Sequence, residues 1–158
     1  MTESTIPEVG GGLAARQARI RELQLLFALH RYGPGYQQVT GNGLRYVGEI
    51  VKATPQEAAW LAAHVQQHPE VWQTPYRTDG QWDAERRDRG ELAFTASDTA
   101  YRAGRHARSM ELLDEAYAYG VIGDTTWRAL SDLITKATAP PSGQTPDGDT
   151  DSGAQVSS

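Results

Sequence analysis

Residues 112–130 read LLDEAYAYGVIGDTTWRAL and decide how the C-terminal part of the chain folds. Apolar residues recur at helical spacing up to Tyr117, and Gly120 follows as a left-handed stop for that helix. Asp124 is a good N-cap for a second helix. The apolar stripe of this second helix consists of Trp127, Leu130, Leu133 and Ile134. Two helices joined by about four residues lie side by side, so we expect a helical hairpin over residues 107–136.

The same hairpin carries a family resemblance. It combines a glycine stop, two β-branched residues, a polar cap, an aromatic residue three positions later and a final Leu-Ile pair, at Gly120, Val121, Ile122, Asp124, Trp127, Leu133 and Ile134. This combination resembles the SHOCT (short C-terminal) module. The resemblance implies a role in oligomerisation or in attachment to other domains. A plain helical hairpin of the core is the alternative interpretation, because a glycine stop is a generic way to join two helices.

Length and composition predict one domain with a tail at each end. The chain has 158 residues, and 39% of them are apolar, which is low for a compact domain. Residues 138–158 are rich in Pro, Gly and Ser and hold Val156 as their one large aliphatic residue, so we expect a disordered tail there. Residues 1–12 end in three glycines and predict a flexible lead-in. A single helical domain is then expected over residues 13–137.

Net charge, cysteine content and the lack of long apolar runs argue against several classes of function. The formal net charge is −5, from 15 basic and 20 acidic residues, and this excludes a polybasic nucleic-acid binder on bulk charge. The chain has no cysteine, so neither disulfides nor thiolate-bound zinc is expected. No run of 18 apolar residues and no signal-peptide pattern occurs. We therefore expect a cytoplasmic protein that binds no membrane and no cofactor.

The first predicted helix, Leu13–Tyr32, supplies the leading candidate for a partner surface. Gly33-Pro34-Gly35 ends this helix, and its second half is apolar nearly all round. Such a segment is either buried on several sides or covered by another chain. We predict that a protein partner, or a second copy in a homo-oligomer, binds at Leu25, Leu26, Phe27 and Leu29.

Residues 36–52 predict a β-hairpin, because partly alternating segments flank the turn sequence Gly41-Asn42-Gly43. Thr54-Pro55-Gln56-Glu57 is a capping-box start for the helix that follows. A further helix is expected from Asp98 to Tyr119, with a bend at Gly104. The fold class is therefore mostly α, with four or five helices and one β-hairpin.

Residues 69–82 have no regular pattern, and they hold three large aromatic side chains among polar residues. Exposed aromatic residues in loops are frequent hot spots of protein interfaces. We therefore add Trp72, Tyr76 and Trp82 to the predicted partner surface.

Catalytic and metal-binding patterns are weak in this sequence. His64 and His68 are four residues apart on a helix, but Val65 stands where a zinc protease needs Glu, and spacing places no third ligand. Asp114 and Glu115 are interpreted as solvated charge on the exposed side of a helix. No Gly-x-Ser-x-Gly elbow occurs. We therefore expect no enzyme activity and no metal site.

The leading interpretation is a non-catalytic interaction or self-assembly protein, an adaptor or structural component. Small size and the lack of targeting also suit a phage or mobile-element accessory or virion protein. The alternative is a nucleic-acid-binding accessory or regulatory protein that uses Arg102, Arg105 and Arg108 to contact phosphates. That alternative is the weaker one, because Asp124 and Asp132 lie on the helix that would read the bases.

Overall fold

The computed structural model describes residues 12–138, and within this range the chain is almost entirely helical. Its elements in chain order are α1 (Leu13–Thr40), α2 (Gly43–Ile50), α3 (Pro55–Gln67), a short 3₁₀ helix (Pro69–Gln73), α4 (Asp79–Arg102), α5 (His106–Ala118) and α6 (Asp124–Thr138). None of these helices is long and apolar enough to cross a membrane. The predicted lead-in and tail lie outside the described residues, except that Gly12 caps α1 and Thr138 ends α6.

The mostly α fold class is confirmed, but the β-hairpin predicted over residues 36–52 is wrong, and the described residues form six α-helices where four or five were expected. The first helix does not end at residues 33–35: α1 continues through Pro34 to Thr40, and α2 follows. Gly41 adopts a left-handed conformation (φ 79°), so the glycine-rich turn joins two helices instead of two strands. Leu44 and Val47 are one helical turn apart, and both pack into the core from the same face of α2.

Helix α1 organises the molecule, because different parts of it enter two separate cores. Its first half packs with α5 and α6 around Ile20, Met110, Leu113, Ala118, Trp127 and Ile134. Its second half packs with α2, α3 and the 3₁₀ helix around Leu25, Ala28, Leu29, Val47, Leu61 and Val71. A helix that is apolar nearly all round is therefore covered by the chain's own elements on several sides.

Three aromatic rings connect α1 to the α4–α5 pair. The ring of Phe27 meets the rings of Trp82 and Tyr119 edge-on, with centroid distances of 5.5 and 5.8 Å. All three side chains are buried. Edge-to-face pairs of this kind add about 0.5–1.5 kcal/mol to the stabilisation from buried area.

The C-terminal helical hairpin is confirmed as α5 and α6. Gly120 has a φ of 78°, as expected for a left-handed stop. Asp124 is not the N-cap: it is the first residue of α6, and the Trp127 N–H donates to the carbonyl oxygen of Gly123. The Asp124 carboxylate instead accepts hydrogen bonds from the Tyr117 hydroxyl and the Arg128 guanidinium.

Asp114 is fully buried, which corrects its interpretation as solvated surface charge. The Arg16 guanidinium donates to both of its carboxylate oxygens, at 3.0 and 2.7 Å. Arg19 and the Trp127 indole N–H donate to it as well, at 3.0 and 2.8 Å. Arg16 also donates to the Ser131 hydroxyl at 2.8 Å. One carboxylate therefore connects α1, α5 and α6 through paired, hydrogen-bonded groups.

The capping box at the start of α3 is confirmed. The Thr54 hydroxyl accepts from the Glu57 N–H, and the Glu57 carboxylate accepts from the Thr54 N–H. Arg21 of α1 donates to both oxygens of the same carboxylate, at 2.9 and 3.0 Å, and to the carbonyl oxygen of Val51. Glu57 thus serves as a cap for α3 and as an anchor that holds α3 to α1.

We expect Glu57 to control stability under acidic conditions. Hydrogen bonds from the Arg21 guanidinium and the Thr54 N–H lower its pKa from 4.5 to about 2. Because the folded-state pKa is depressed, the stabilisation is fully present above about pH 4.5 and is lost as the pH falls through about 2. In chemical denaturation at several pH values, Glu57→Gln should weaken the pH dependence in this window. Glu49→Gln, at an exposed carboxylate paired with Arg45 in α2, is the control that should leave it unchanged.

Helices α4 and α5 form an antiparallel pair where a single bent helix over residues 98–119 was expected. Helix α4 begins at residue 79, after a capping box of Thr78 and Gln81. The chain reverses at Gly104, whose φ of 79° is incompatible with a continuous right-handed helix. The prediction failed because a glycine within a helical pattern indicates either a bend or a complete stop.

Candidate interaction surface

The apolar residues of α1 that were predicted to bind a partner are mostly enclosed by the chain itself. The exposed fractions of Leu25, Phe27 and Leu29 are 1%, 8% and 0%, and Leu26 is half-buried. Leu25 and Leu29 pack into the core with α2, α3 and the 3₁₀ helix. The prediction of an open apolar surface on α1 therefore does not describe this structure, because the helices that follow α1 cover it.

The aromatic residues of the segment 69–82 are separated by the structure. Trp82 is buried, with an exposed fraction of 4%, and the Arg77 guanidinium lies 4.7 Å from its ring centroid. Trp72 is half-buried and packs closely against the glycine backbones of Gly33 and Gly43. Tyr76 is 67% exposed. Of these three aromatic residues, Tyr76 alone presents most of its side chain to solvent.

The basic residues of the nucleic-acid hypothesis are exposed but largely paired. Arg102 donates to Asp98 at 2.9 Å within α4, and Arg108 donates to Glu111 at 3.1 Å within α5. Arg105 lies at the start of α5 and is exposed. Because two of the three cations face carboxylates of their own helices, the local surface is much less positive than the sequence suggested.

The two histidines considered as metal ligands do lie together, with ring centroids 4.5 Å apart for His64 and His68. Across residues 12–138, no group of three or more His, Cys, Asp or Glu side chains has the arrangement needed to hold a metal ion. The geometry of this pair therefore gives no support to metal chemistry.

A groove of about 400 Å³ lies between α4 and α6, and most of its lining is apolar. Both helices pack against α5 but make few or no direct contacts with each other, so part of α5 is left at the bottom of the groove. Its apolar walls are formed by Phe94, Tyr101, Leu113, Leu130, Leu133 and Ile134. Phe94 and Leu133, on opposite walls, are 38% and 48% exposed.

The two serines and the aspartate of this groove already have partners. The Ser97 hydroxyl donates to the carbonyl oxygen of Ser109, and the Ser109 hydroxyl donates to the carbonyl oxygen of Ser97, both at 2.8 Å. Asp98 is paired with Arg102 at the rim. The groove therefore offers apolar contact area but no activated nucleophile and no general base.

A larger hollow of about 510 Å³ lies between α1 and the turn that joins α5 to α6. Its charged side chains are engaged in bonds within the chain: Arg21 with Glu57, and Arg128 with Asp124. The Tyr117 ring stacks on the Trp127 ring at a centroid distance of 4.5 Å. Despite its size, this hollow has fewer exposed apolar groups than the α4–α6 groove, and we regard it as the weaker candidate.

Sequence reasoning missed the α4–α6 groove. Leu133 was assigned to the apolar stripe of the second hairpin helix, and Phe94 was not singled out. One signal was available: Leu133 lies at the edge of the stripe that it forms with Trp127, Leu130 and Ile134. Comparisons with models of protein families, with curated proteins and with solved structures found no match to this chain, so its function has to be argued from its own residues.

Proposed function

We propose that this chain is a non-catalytic self-assembly protein that pairs with a second copy of itself through the α4–α6 groove. The single observation that carries the proposal is the apolar groove with Phe94 and Leu133 partly exposed on its two walls. Covering such side chains is favourable, at about 25 cal/mol per Å² of apolar surface removed from water.

A second copy suits this groove because the groove and the groups that fill it belong to the same helices. In a two-fold arrangement, the same patch serves both subunits, so a side chain on the wall of one groove can enter the groove of the other. Phe94 and Leu133 meet this requirement: each is a wall residue of the groove and is also partly exposed to solvent. Helix-in-groove packing of this kind needs apolar groups at helical spacing, as in α6.

The resemblance of α5 and α6 to a SHOCT module supports the same role. That module is associated with oligomerisation, and both of these helices contribute walls to the groove. An adaptor or a structural component, for example of a phage particle, would depend on this self-association. The partner surface proposed from the sequence, centred on α1, is replaced by one centred on α4 and α6.

We expect Leu133→Asp to weaken self-association at least tenfold, because a carboxylate would be buried against apolar groups in the paired groove. The Leu92→Asp variant is a matched control: Leu92 lies on α4, is 71% exposed, and is not part of the groove wall. Sedimentation equilibrium over a range of concentrations measures the association constants of the two variants and the parent chain. Circular dichroism verifies that each variant remains folded.

Two outcomes would contradict the proposal. One is a parent chain that stays monomeric at millimolar concentration. The other is an association constant that Leu133→Asp and Leu92→Asp change equally, since this would place the contact outside the groove. Phe94→Asp tests the opposite wall independently and should behave like Leu133→Asp.

A further inference from the structure

Three of the chain's four histidines meet where α1, α3 and the 3₁₀ helix come together. His64 and His68, on the last turn and at the C-cap of α3, have ring centroids 4.5 Å apart. The His68 imidazole lies 3.2 Å from the Glu70 carboxylate of the 3₁₀ helix. The His30 Nδ1 of α1 lies 3.5 Å from the hydroxyl of Thr74, just after the 3₁₀ helix, and His30 is near enough for the charges of His64 and Glu70 to act on it. We call these three residues the histidine cluster.

The surroundings of His30 and His64 oppose protonation. Burial, followed by the positive charges of Arg89 and His64, lowers the pKa of His30, while Glu70 acts in the opposite direction. Burial and the neighbouring His68 lower the pKa of His64, again against Glu70. His64 also packs beside Trp60, at a centroid distance of 5.8 Å. Glu70 is thus the carboxylate that favours the protonated form of both His30 and His64.

The cluster sits beside the contact that holds α3 and the 3₁₀ helix to α1. Leu29, next to His30, packs with Leu61 of α3 and Val71 of the 3₁₀ helix. Direct packing between α1 and α3 is sparse, and the 3₁₀ helix supplies most of the contact with α1 at this junction. Protonating His30 and His64 would place charge at this junction, and local opening draws on sparsely packed parts of a molecule.

We propose that the histidine cluster is an acid-sensitive latch, which holds α3 and the 3₁₀ helix against α1 when the imidazoles of His30 and His64 are neutral and releases them when these two imidazoles are protonated. Once α3 moves away, His30 and His64 return to water and to an ordinary pKa near 6.5. The open state then binds more protons than the closed state below about pH 6.5, so acid favours opening. The α1–α5–α6 core, which lacks these histidines, keeps its packing.

Hydrogen exchange of the full chain followed by mass spectrometry tests the latch. After correction for the intrinsic pH dependence of exchange, protection over residues 55–73 should fall between pH 7.5 and pH 5.5. For each histidine that returns to water on opening, the equilibrium constant for opening rises by a factor of up to about ten per pH unit below 6.5. Protection over residues 106–118 should stay unchanged. An equal loss of protection in both segments would overturn the proposal.

Variants assign the response to the cluster. His30→Gln with His64→Gln should abolish the pH response of residues 55–73, whereas His106→Gln should retain it, since His106 lies at the start of α5 beside Tyr101. A pH response that survives the double change would refute the latch. If the double variant does not fold, an NMR titration of the unaltered chain decides: His30 and His64 must titrate below 6.5, and values above it would refute the latch.

Discussion

Asp114→Ala is expected to lower the free energy of unfolding by about 3–5 kcal/mol, the largest effect of any single substitution proposed for this chain. Asp114 is fully buried, and it accepts hydrogen bonds from Arg16, Arg19 and Trp127. Removing the carboxylate leaves the Arg16 guanidinium, with a side-chain exposure of 8%, charged and without its anion. The uncompensated buried charge lowers the free energy of unfolding more than the loss of the hydrogen bonds themselves does.

Urea denaturation monitored by circular dichroism measures this effect. Asp98→Ala is the control, because Asp98 forms an exposed ion pair with Arg102 within α4, and its loss should cost about 0–1 kcal/mol. The double variant Arg16→Met with Asp114→Leu should be more stable than Asp114→Ala, because it buries no unpaired Arg16. A loss below about 1 kcal/mol for Asp114→Ala would show that the network relaxes without cost, contrary to the argument from burial.

Gly43→Ala is expected to destabilise the chain by about 1–3 kcal/mol through overpacking. A Cβ added at Gly43 would lie 2.7 Å from two ring atoms of Trp72 and 2.8 Å from the carbonyl oxygen of Gly33. The backbone oxygen cannot move aside like the end of a flexible side chain. Either the α1–α2 contact opens or Trp72 leaves its place between the two glycines.

Gly48→Ala is the matched control in the same helix. An added Cβ at Gly48 meets nothing within 4 Å, so this change should stabilise α2 by about 0.5–1 kcal/mol through the better helix propensity of alanine. Thermal unfolding of the two variants should therefore shift the melting temperature in opposite directions. A shift of the same sign for both variants would mean that the close contact with Trp72 does not limit the size of the side chain at residue 43.

Local signals in the sequence were sufficient for the elements whose cause is local. The α5–α6 hairpin follows from Gly120 and from the apolar spacing on either side of it, and α3 follows from the capping box of Thr54 and Glu57. Such signals act within one helical turn, so they need no information from the rest of the chain.

Residues 36–52 and Gly104 show where local signals are ambiguous. Glycine at a left-handed position suits a strand turn, a helix stop or a connection between helices, and neighbouring elements choose among them. Short apolar segments such as residues 44–50 match a strand and a helix about equally well. Here α1 and Trp72 select the helix, because Gly43 and Gly33 permit the close contact.

Taken alone, the amino-acid sequence determined a mostly helical chain, the C-terminal hairpin and the absence of thiol chemistry. Tertiary structure alone decided that Leu25 and Leu29 are core residues, that Asp114 is buried, and that an apolar groove opens between α4 and α6. The physical reason is distance along the chain: Arg16 pairs with Asp114 across 98 positions. Burial depends on such distant partners, whereas helix starts and stops depend on residues only a few positions away.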